Sequence, residues 1–336
     1  MTAHYYLGFV IAVVACAACG DAAQPEKPRL SSDAGAHDNS DGGASLAAAP
    51  EEISISEIRV GDLVFRARMA GPTSGEPVIL LHGFPQNSYE WRGPLRALAH
   101  KGYRAIAPDQ RGYSAGARPS AVDGYRIPDI ARDVTDIADA LGIGKFHVVG
   151  HDWGAGVAWF LAVLARDRLL SLSTLSVPHP DAQARELQNK DSCQYKASAY
   201  FDLFVTPQAT DYFASDDFRA LRMIYAGVTE QDVDVYMREL ANRETIDAAL
   251  NWYRANVPSR DANGAPLGKI AVPTLFIWSD GDTALCREGA EKTQEFVAAE
   301  YRFEIVPGVN HWLVDNAPEQ VSALLLEHIA KHSSAD

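Results

Sequence analysis

The sequence predicts an α/β protein: a mostly parallel sheet covered by helices on both faces, with a helical lid inserted between its two halves. Three observations carry this reading. Short apolar runs at Pro77–Leu81, Tyr103–Ala107 and Phe146–Val149 read as strands buried on both faces. They alternate with helical spacing at Trp91–His100 and Ile130–Leu141, the rhythm of a parallel sheet. From about Pro180 to Gly268 the rhythm breaks into aromatic, charged, helix-spaced chain, with Asp232–Leu240 and Thr245–Tyr253 its clearest helices. Strands then resume at Pro273–Trp278 and Tyr301–Val306.

The other elements fit this frame. Ile53–Ile58 and Leu63–Ala70 alternate polar and apolar residues, which predicts a hairpin turning at Gly61-Asp62. Leu172–Val177 is a further strand before the break. The core is thus expected over residues 51–180 and 269–336, and the lid over residues 181–268. A lid in that place covers the carboxyl ends of the strands, where α/β sheets bind ligands.

Composition narrows the function. The 336 residues are 47% hydrophobic and 22% charged, enough for a sizeable core. Thirty Lys and Arg against 44 Asp and Glu give a formal net charge of -14, which would repel a phosphate backbone and argues against nucleic-acid binding. Four cysteines are too few for a disulfide scaffold at this length.

The N-terminus reads as an address. Leu7–Cys19 is apolar but short of the roughly 20 residues a spanning helix needs, which suits the apolar region of a signal peptide over residues 1–19. Its start, MTAHYY, lacks the Lys or Arg usual there. Val13-Val14-Ala15-Cys16 has the form of a lipoprotein processing site, and Cys19 is a second candidate. The expectation is export to a periplasmic or extracellular location, with membrane attachment through a lipidated Cys16 or Cys19; simple cleavage without lipid is the rival. Residues 20–50 are Ala, Asp, Ser, Gly and Pro with almost no large hydrophobe, the composition of a disordered linker. Removing the leader leaves Cys193 and Cys286, as two thiols or one disulfide.

The chemistry sits at strand ends. Gly150-His151-Asp152-Trp153-Gly154 follows a strand and opens a helix, with small residues flanking a central acid, the form of a nucleophile elbow. An Asp there needs no activating base, because a carboxylate with a pKa near ~3.9 is already ionised at neutral pH. Carboxylate attack suits a saturated carbon and leaves an ester that water must hydrolyse. The same stretch also fits a dinucleotide-binding loop, but two buried strands and a hairpin precede it and no Tyr-x-x-x-Lys pair appears. As a mere helix N-cap, Asp152 would say nothing about the residues below.

Ester hydrolysis calls for a neutral His and an acid to orient it. His311 lies just after the last strand. Asp280 and Asp282 lie just after the preceding one, and turn geometry favours Asp282. At the end of the first buried strand, His82-Gly83-Phe84-Pro85 can aim the Phe84 backbone N–H at an oxyanion, with the Trp153 N–H as second donor.

Together, His82-Gly83-Phe84-Pro85, Asp109-Gln110-Arg111-Gly112-Tyr113-Ser114, Gly150-His151-Asp152-Trp153-Gly154, Leu250-Asn251-Trp252-Tyr253-Arg254 and His311-Trp312 resemble the epoxide hydrolases of the α/β-hydrolase superfamily. The likeness spans about residues 51–332, and the order nucleophile, acid, His is that of the α/β-hydrolase fold. The resemblance implies a small apolar epoxide as substrate and Asp152, Asp282 and His311 as the triad. It further implies two lid tyrosines that donate to the epoxide oxygen: Tyr253, and Tyr200 with Tyr195 as its neighbour and rival. No metal or organic cofactor is implied, and no side-chain cluster has metal-ligand spacing.

Two related activities compete. Haloalkane dehalogenases share the Asp nucleophile and a following Trp, here Trp153, but many use an Asn where this chain has Phe84. Fluoroacetate dehalogenases place an Arg where Trp153 stands. Asp152 excludes a serine-type esterase. A non-catalytic surface protein of the same fold is the reading from a different class, and retention of all three triad members opposes it.

Overall fold

The computed structural model describes residues 52–257 and 265–334. The signal peptide and linker expected over residues 1–50 lie outside the described residues, as do residues 258–264 within the expected lid. Eight strands form one sheet: β1 (Ser54–Val60), β2 (Leu63–Ala70), β3 (Pro77–Leu81), β4 (Arg104–Pro108), β5 (Phe146–His151), β6 (Leu169–Leu175), β7 (Thr274–Ser279) and β8 (Tyr301–Val306). Their spatial order is β1-β2-β4-β3-β5-β6-β7-β8. The β1–β2 hairpin and the β2–β4 pair are antiparallel, and every later pair is parallel.

Successive side chains of a strand point to opposite faces, and β3 shows why its run is wholly apolar. Val78 and Leu80 pack with Trp91, Leu95, Leu98, Val321, Leu325 and Ile329, under α1 (Arg92–His100) and the C-terminal helix Pro318–Lys331. Ile79 and Leu81 point the other way, into a cluster with α2 (Ile127–Ala140) and α3 (Trp153–Leu164). Both faces are covered, so neither can be polar.

Between β6 and β7 the described chain is helical: α4 (Pro180–Leu187), α5 (Cys193–Ala197), α6 (Phe201–Phe204), α7 (Gln208–Ala214), α8 (Arg219–Ile224), α9 (Glu230–Leu240) and α10 (Arg243–Asn256). Beyond it come α11 (Arg287–Lys292), α12 (Leu313–Asn316) and α13 (Pro318–Lys331). Three sets of polar or covalent links tie this cap to the core. Glu239 of α9 accepts from Arg66 at 2.9 and 3.0 Å, from Arg68 at 2.9 Å and from Asn87 at 2.8 Å. Tyr236 of the same helix donates to Asp315, which also binds Arg92 at 2.6 Å. Cys193 and Cys286 form a disulfide, resolving the alternative left open by the sequence.

Some boundaries differ from expectation. β6 begins at Leu169 and ends at Leu175, not Val177, because the chain turns out of the sheet at Ser176, whose φ is 65°. α2 starts at Ile127, three residues early, because Pro128 suits the first turn of a helix.

Candidate active site

Four strand ends converge. At the end of β5 the chain turns sharply, with Asp152 at φ 50° and ψ -122°. A non-glycine residue in such a conformation costs of order 1–3 kcal/mol and persists where the surroundings over-determine it. Here they do. A Cβ on Gly150 would stand 2.2 Å from the Gly154 carbonyl oxygen, and one on Gly154 would stand 2.0 Å from that of Leu81. The elbow closes only with no side chain at either place.

The His82–Pro85 turn is built around Asp152. A Cβ on Gly83 would fall 2.3 Å from the Asp152 Cβ, so only glycine lets the carboxylate in. His82 is wholly buried and splints the turn. Its Nε2 accepts from the Gln110 N–H at 3.0 Å, which leaves Nδ1–H to donate to the Gly83 carbonyl at 3.1 Å. Burial lowers the His82 pKa to about 4, so it stays neutral. The turn delivers the Phe84 N–H to Oδ1 of Asp152 at 2.8 Å. Trp153 opens α3, where a first-turn N–H has no acceptor within the helix.

Asp282 and His311 meet because β7 and β8 are parallel neighbours ending in register, Ser279 beside Val306. The Gly281 N–H donates to the Val309 carbonyl at 3.1 Å, and the Ser279 hydroxyl to that of Asn310 at 3.0 Å, pinning the two following loops together. His311 Nδ1 then donates to Asp282 Oδ2 at 2.8 Å, and its Nε2 lies 3.7 Å from Asp152 Oδ2. Asp282 Oδ1 accepts from the N–H groups of Ala284 and Leu285. Asp280, its rival, instead accepts from the Gly308 N–H at 2.6 Å, outside this chain of contacts.

The charges are mutually supporting. Burial opposes a charged His311, but Asp282 and Asp152 outweigh it and raise the pKa to about 10. Burial likewise opposes the Asp152 carboxylate, and His311, His151 and the Phe84 N–H hold it below its ordinary value. At neutral pH the pair is carboxylate and imidazolium.

Tyr200 and Tyr253 meet edge to face, with ring centroids 6.3 Å apart and planes at 76°. Burial first, then the Asp152 charge among others, pushes both phenols well above 10, so they remain protonated donors. Phe84, Phe201 and Phe204 pack around Tyr253 at 5.3, 5.8 and 5.0 Å. The Trp153 ring stands perpendicular to that of Tyr253 at 5.0 Å.

A buried pair beneath the triad escaped sequence reasoning. His151 Nε2–H donates to the His311 carbonyl at 3.0 Å, and its Nδ1 lies 3.4 Å from Glu90 Oε2. Burial, with the nearby His311 charge, lowers the His151 pKa to about 3; burial, with Asp315 and Asp152, raises that of Glu90. Burial thus disfavours charge on both groups. A charged residue inside an apolar stretch such as Tyr89-Glu90-Trp91 was the available signal. Among the described residues, one group of potential metal ligands lies close together, Cys193, Cys286 and Glu288, and its two sulfurs are bonded to each other.

A family model described as the alpha/beta hydrolase fold matches residues 76–318. The chain belongs to the α/β-hydrolase family. Within that family it is similar to epoxide hydrolase A of Mycobacterium tuberculosis, 32% identical over 297 residues that cover 77% of this chain and 92% of that protein. An α/β-hydrolase from hot-environment metagenomes, described as a novel epoxide hydrolase, superposes with a TM-score of 0.75 at 28% identity, covering 84% of this chain and all of the other. The inhibitor complex of a Bacillus megaterium epoxide hydrolase gives 0.75 at 25% identity over 82% of this chain and all of that one. The eight-stranded, mostly parallel sheet is thus an α/β-hydrolase core.

Proposed function

We propose that this α/β-hydrolase opens a small apolar epoxide to a diol through an ester on Asp152. The observation that carries the reading is the pair of buried phenols, Tyr200 and Tyr253, packed edge to face and both subject to the Asp152 charge. An epoxide leaves as an alkoxide, which needs proton donors; a halide does not. The similarity to epoxide hydrolases supports the same activity.

Asp152 Oδ2 attacks a ring carbon, the C–O bond breaks, and the tyrosines stabilise the oxygen that takes the electron pair. Esterification removes the negative charge of Asp152, one of the groups that holds His311 protonated. The imidazolium becomes more acidic, and its proton neutralises the alkoxide. Neutral His311, oriented by Asp282, then removes a proton from water as the water oxygen attacks the ester carbon. The oxyanion forms on Oδ1, held by the N–H groups of Phe84 and Trp153. Collapse releases the diol and restores carboxylate and imidazolium.

The Trp153 indole packs edge-on against the Tyr253 ring, and Phe84 offers no side-chain donor as a second halide ligand. Incubating the purified protein with panels of epoxides, alkyl halides and aryl esters tests the assignment. Diol formation from epoxides is expected, and consumption of halides alone would replace it with dehalogenation.

The N-terminal run Leu7–Cys19 supports export, with attachment through a lipidated Cys16 or Cys19. The Cys193–Cys286 bridge is in keeping with an oxidising compartment. Mass spectrometry of the mature N-terminus tests this; an intact Met1 on a cytoplasmic protein would overturn it.

A further inference from the structure

The disulfide does more than close a loop. Cys193 opens α5, a single five-residue turn, and the chain runs on through a tight turn at Ser198–Tyr200 to Tyr200 itself. A helix this short has little stability of its own, so its position is set by whatever holds it. Cys286 lies in the loop that carries Asp282. Between the two cysteines sits Gln194, fully buried. Its Oε1 accepts the Cys286 N–H at 3.0 Å, and its Nε2 donates to the Ala284 carbonyl and to the Ser198 hydroxyl, each at 2.9 Å. One amide thus pairs with the backbone of the acid loop as a neighbouring strand would, and the disulfide stands beside it.

The two sides of this junction are unequal. The acid loop is fixed from the core: Ala284 and Leu285 donate to Asp282 Oδ1, and the Trp278 indole donates to the Leu285 carbonyl at 3.0 Å. Around the Tyr200 ring lie Phe201, Phe204 and Tyr253, at 4.7, 5.0 and 6.3 Å, contacts with little directional demand. Releasing the junction therefore displaces the Tyr200 segment and leaves the acid in place.

We propose that the Cys193–Cys286 bridge and Gln194 form a latch that holds Tyr200 at the nucleophile, so that opening the bridge slows the ring-opening half of the reaction. This rests on the reading of Tyr200 as a proton donor. Cys286 is buried, whereas Cys193 is exposed and open to attack. The thiolate of an external dithiol attacks Cys193 Sγ, and Cys286 leaves as thiolate. The second thiol of the reagent then closes its own disulfide and frees Cys193. The residues of the latch touch no reacting atom; they are positioning residues.

The test is single-turnover kinetics on the full chain with an epoxide the enzyme turns over, following ester formation and ester hydrolysis separately. Oxidised enzyme, enzyme reduced with dithiothreitol, and Cys193→Ser/Cys286→Ser are compared, with circular dichroism confirming that each is folded. Reduction is expected to slow ester formation roughly three- to ten-fold, less than loss of a whole donor, because a displaced donor still bonds part of the time. Hydrolysis should stay within about twofold, since Asp282 and His311 are unmoved. Gln194→Leu, which keeps the bridge, should slow the same step. In Tyr200→Phe, reduction should add nothing; in Tyr253→Phe, its effect should persist. An impaired Tyr200→Phe enzyme whose parent is indifferent to reduction overturns the latch, as does equal loss in both steps. If Tyr200→Phe opens epoxides at the parental rate, the donor assignment itself has failed and the latch falls with it.

Discussion

The Phe84 amide N–H donates to Oδ1 of Asp152 at 2.8 Å, while Oδ2 of the same carboxylate lies 3.7 Å from His311 Nε2. The two oxygens are already distinguished in the resting protein. Oδ1 is anchored where negative charge develops during ester hydrolysis, and a preorganised backbone donor there needs no rearrangement when the charge appears. Oδ2 is left to attack.

In this scheme ester hydrolysis depends on His311 as its base, whereas in ring opening His311 only yields a proton to an alkoxide that the two tyrosines also stabilise. His311→Ala should form the ester and stop, and turnover should fall by roughly 10²–10⁴, the usual contribution of a general base. Intact-protein mass after exposure to epoxide is expected to rise by one substrate, with the adduct mapped to Asp152. An adduct elsewhere, or a fully active variant, would refute the assignment.

Asp280 and Asp282 are separable by a pair of substitutions. Asp282 Oδ2 receives the His311 Nδ1 proton, so Asp282→Asn forces the wrong tautomer and should lower turnover by roughly 10³–10⁴. Asp280 accepts the Gly308 N–H instead, and Asp280→Asn should cut activity by less than about threefold. Steady-state rates on one epoxide decide it, and the reverse order would make Asp280 the acid.

The two half-reactions should titrate in opposite senses. Ester formation uses ionised Asp152 and protonated His311, so its rate should hold through neutral pH and fall as pH rises through about 10. Hydrolysis needs neutral His311 in the ester, where the Asp152 charge is gone and the pKa is lower; its rate should fall as pH falls. Folding stability follows the first sign. His311 binds its proton more tightly in the folded protein than at its ordinary 6.5, so its contribution is complete below 6.5 and is lost as pH climbs to about 10. Single-turnover profiles and thermal melts across pH 5–11 check both, and an ester-formation rate that falls near 6.5 would contradict a protonated resting His311.

Tyr253→Phe removes one hydroxyl and almost no volume. A charge-assisted hydrogen bond of about 1.5–3 kcal/mol corresponds to a roughly ten- to two-hundred-fold slower ring opening, with any alkyl-halide turnover little changed. Equal loss on both substrates would point to packing instead of proton donation.

A strand buried on both faces is legible because burial leaves no choice but an apolar run, and Pro77–Leu81 has the bounds its sequence predicts. The half-buried edge strand Tyr301–Val306 also has its predicted bounds. β6 was harder: Ser171, Ser173 and Thr174 are wholly buried polar residues that interrupt its pattern. The catalytic strand ends were legible because each has a fixed chemical form at a fixed place in the chain order. Glu90, His151 and Gln194 were not, because their importance comes from which distant backbone they meet, and residue type alone does not disclose it. The disulfide joins residues 93 apart, and nothing local in either flank announces the other.

Among the described residues the sheet has two open edges, since β1 and β8 each pair on one side only. An exposed strand edge is a template on which another molecule can add a strand, and charged side chains are a common guard against it. β1 carries exposed Glu57 and Arg59 two and four residues beyond an exposed Ile55; on β8, Arg302 pairs with Glu304 at 2.7 Å and with Glu327 of α13 at 2.9 Å. A chain that grew by edge addition would have to desolvate these ions. Both margins of the sheet therefore disfavour polymerisation, and replacing Arg302 and Glu304 together by valine would turn the outer strand into an adhesive one.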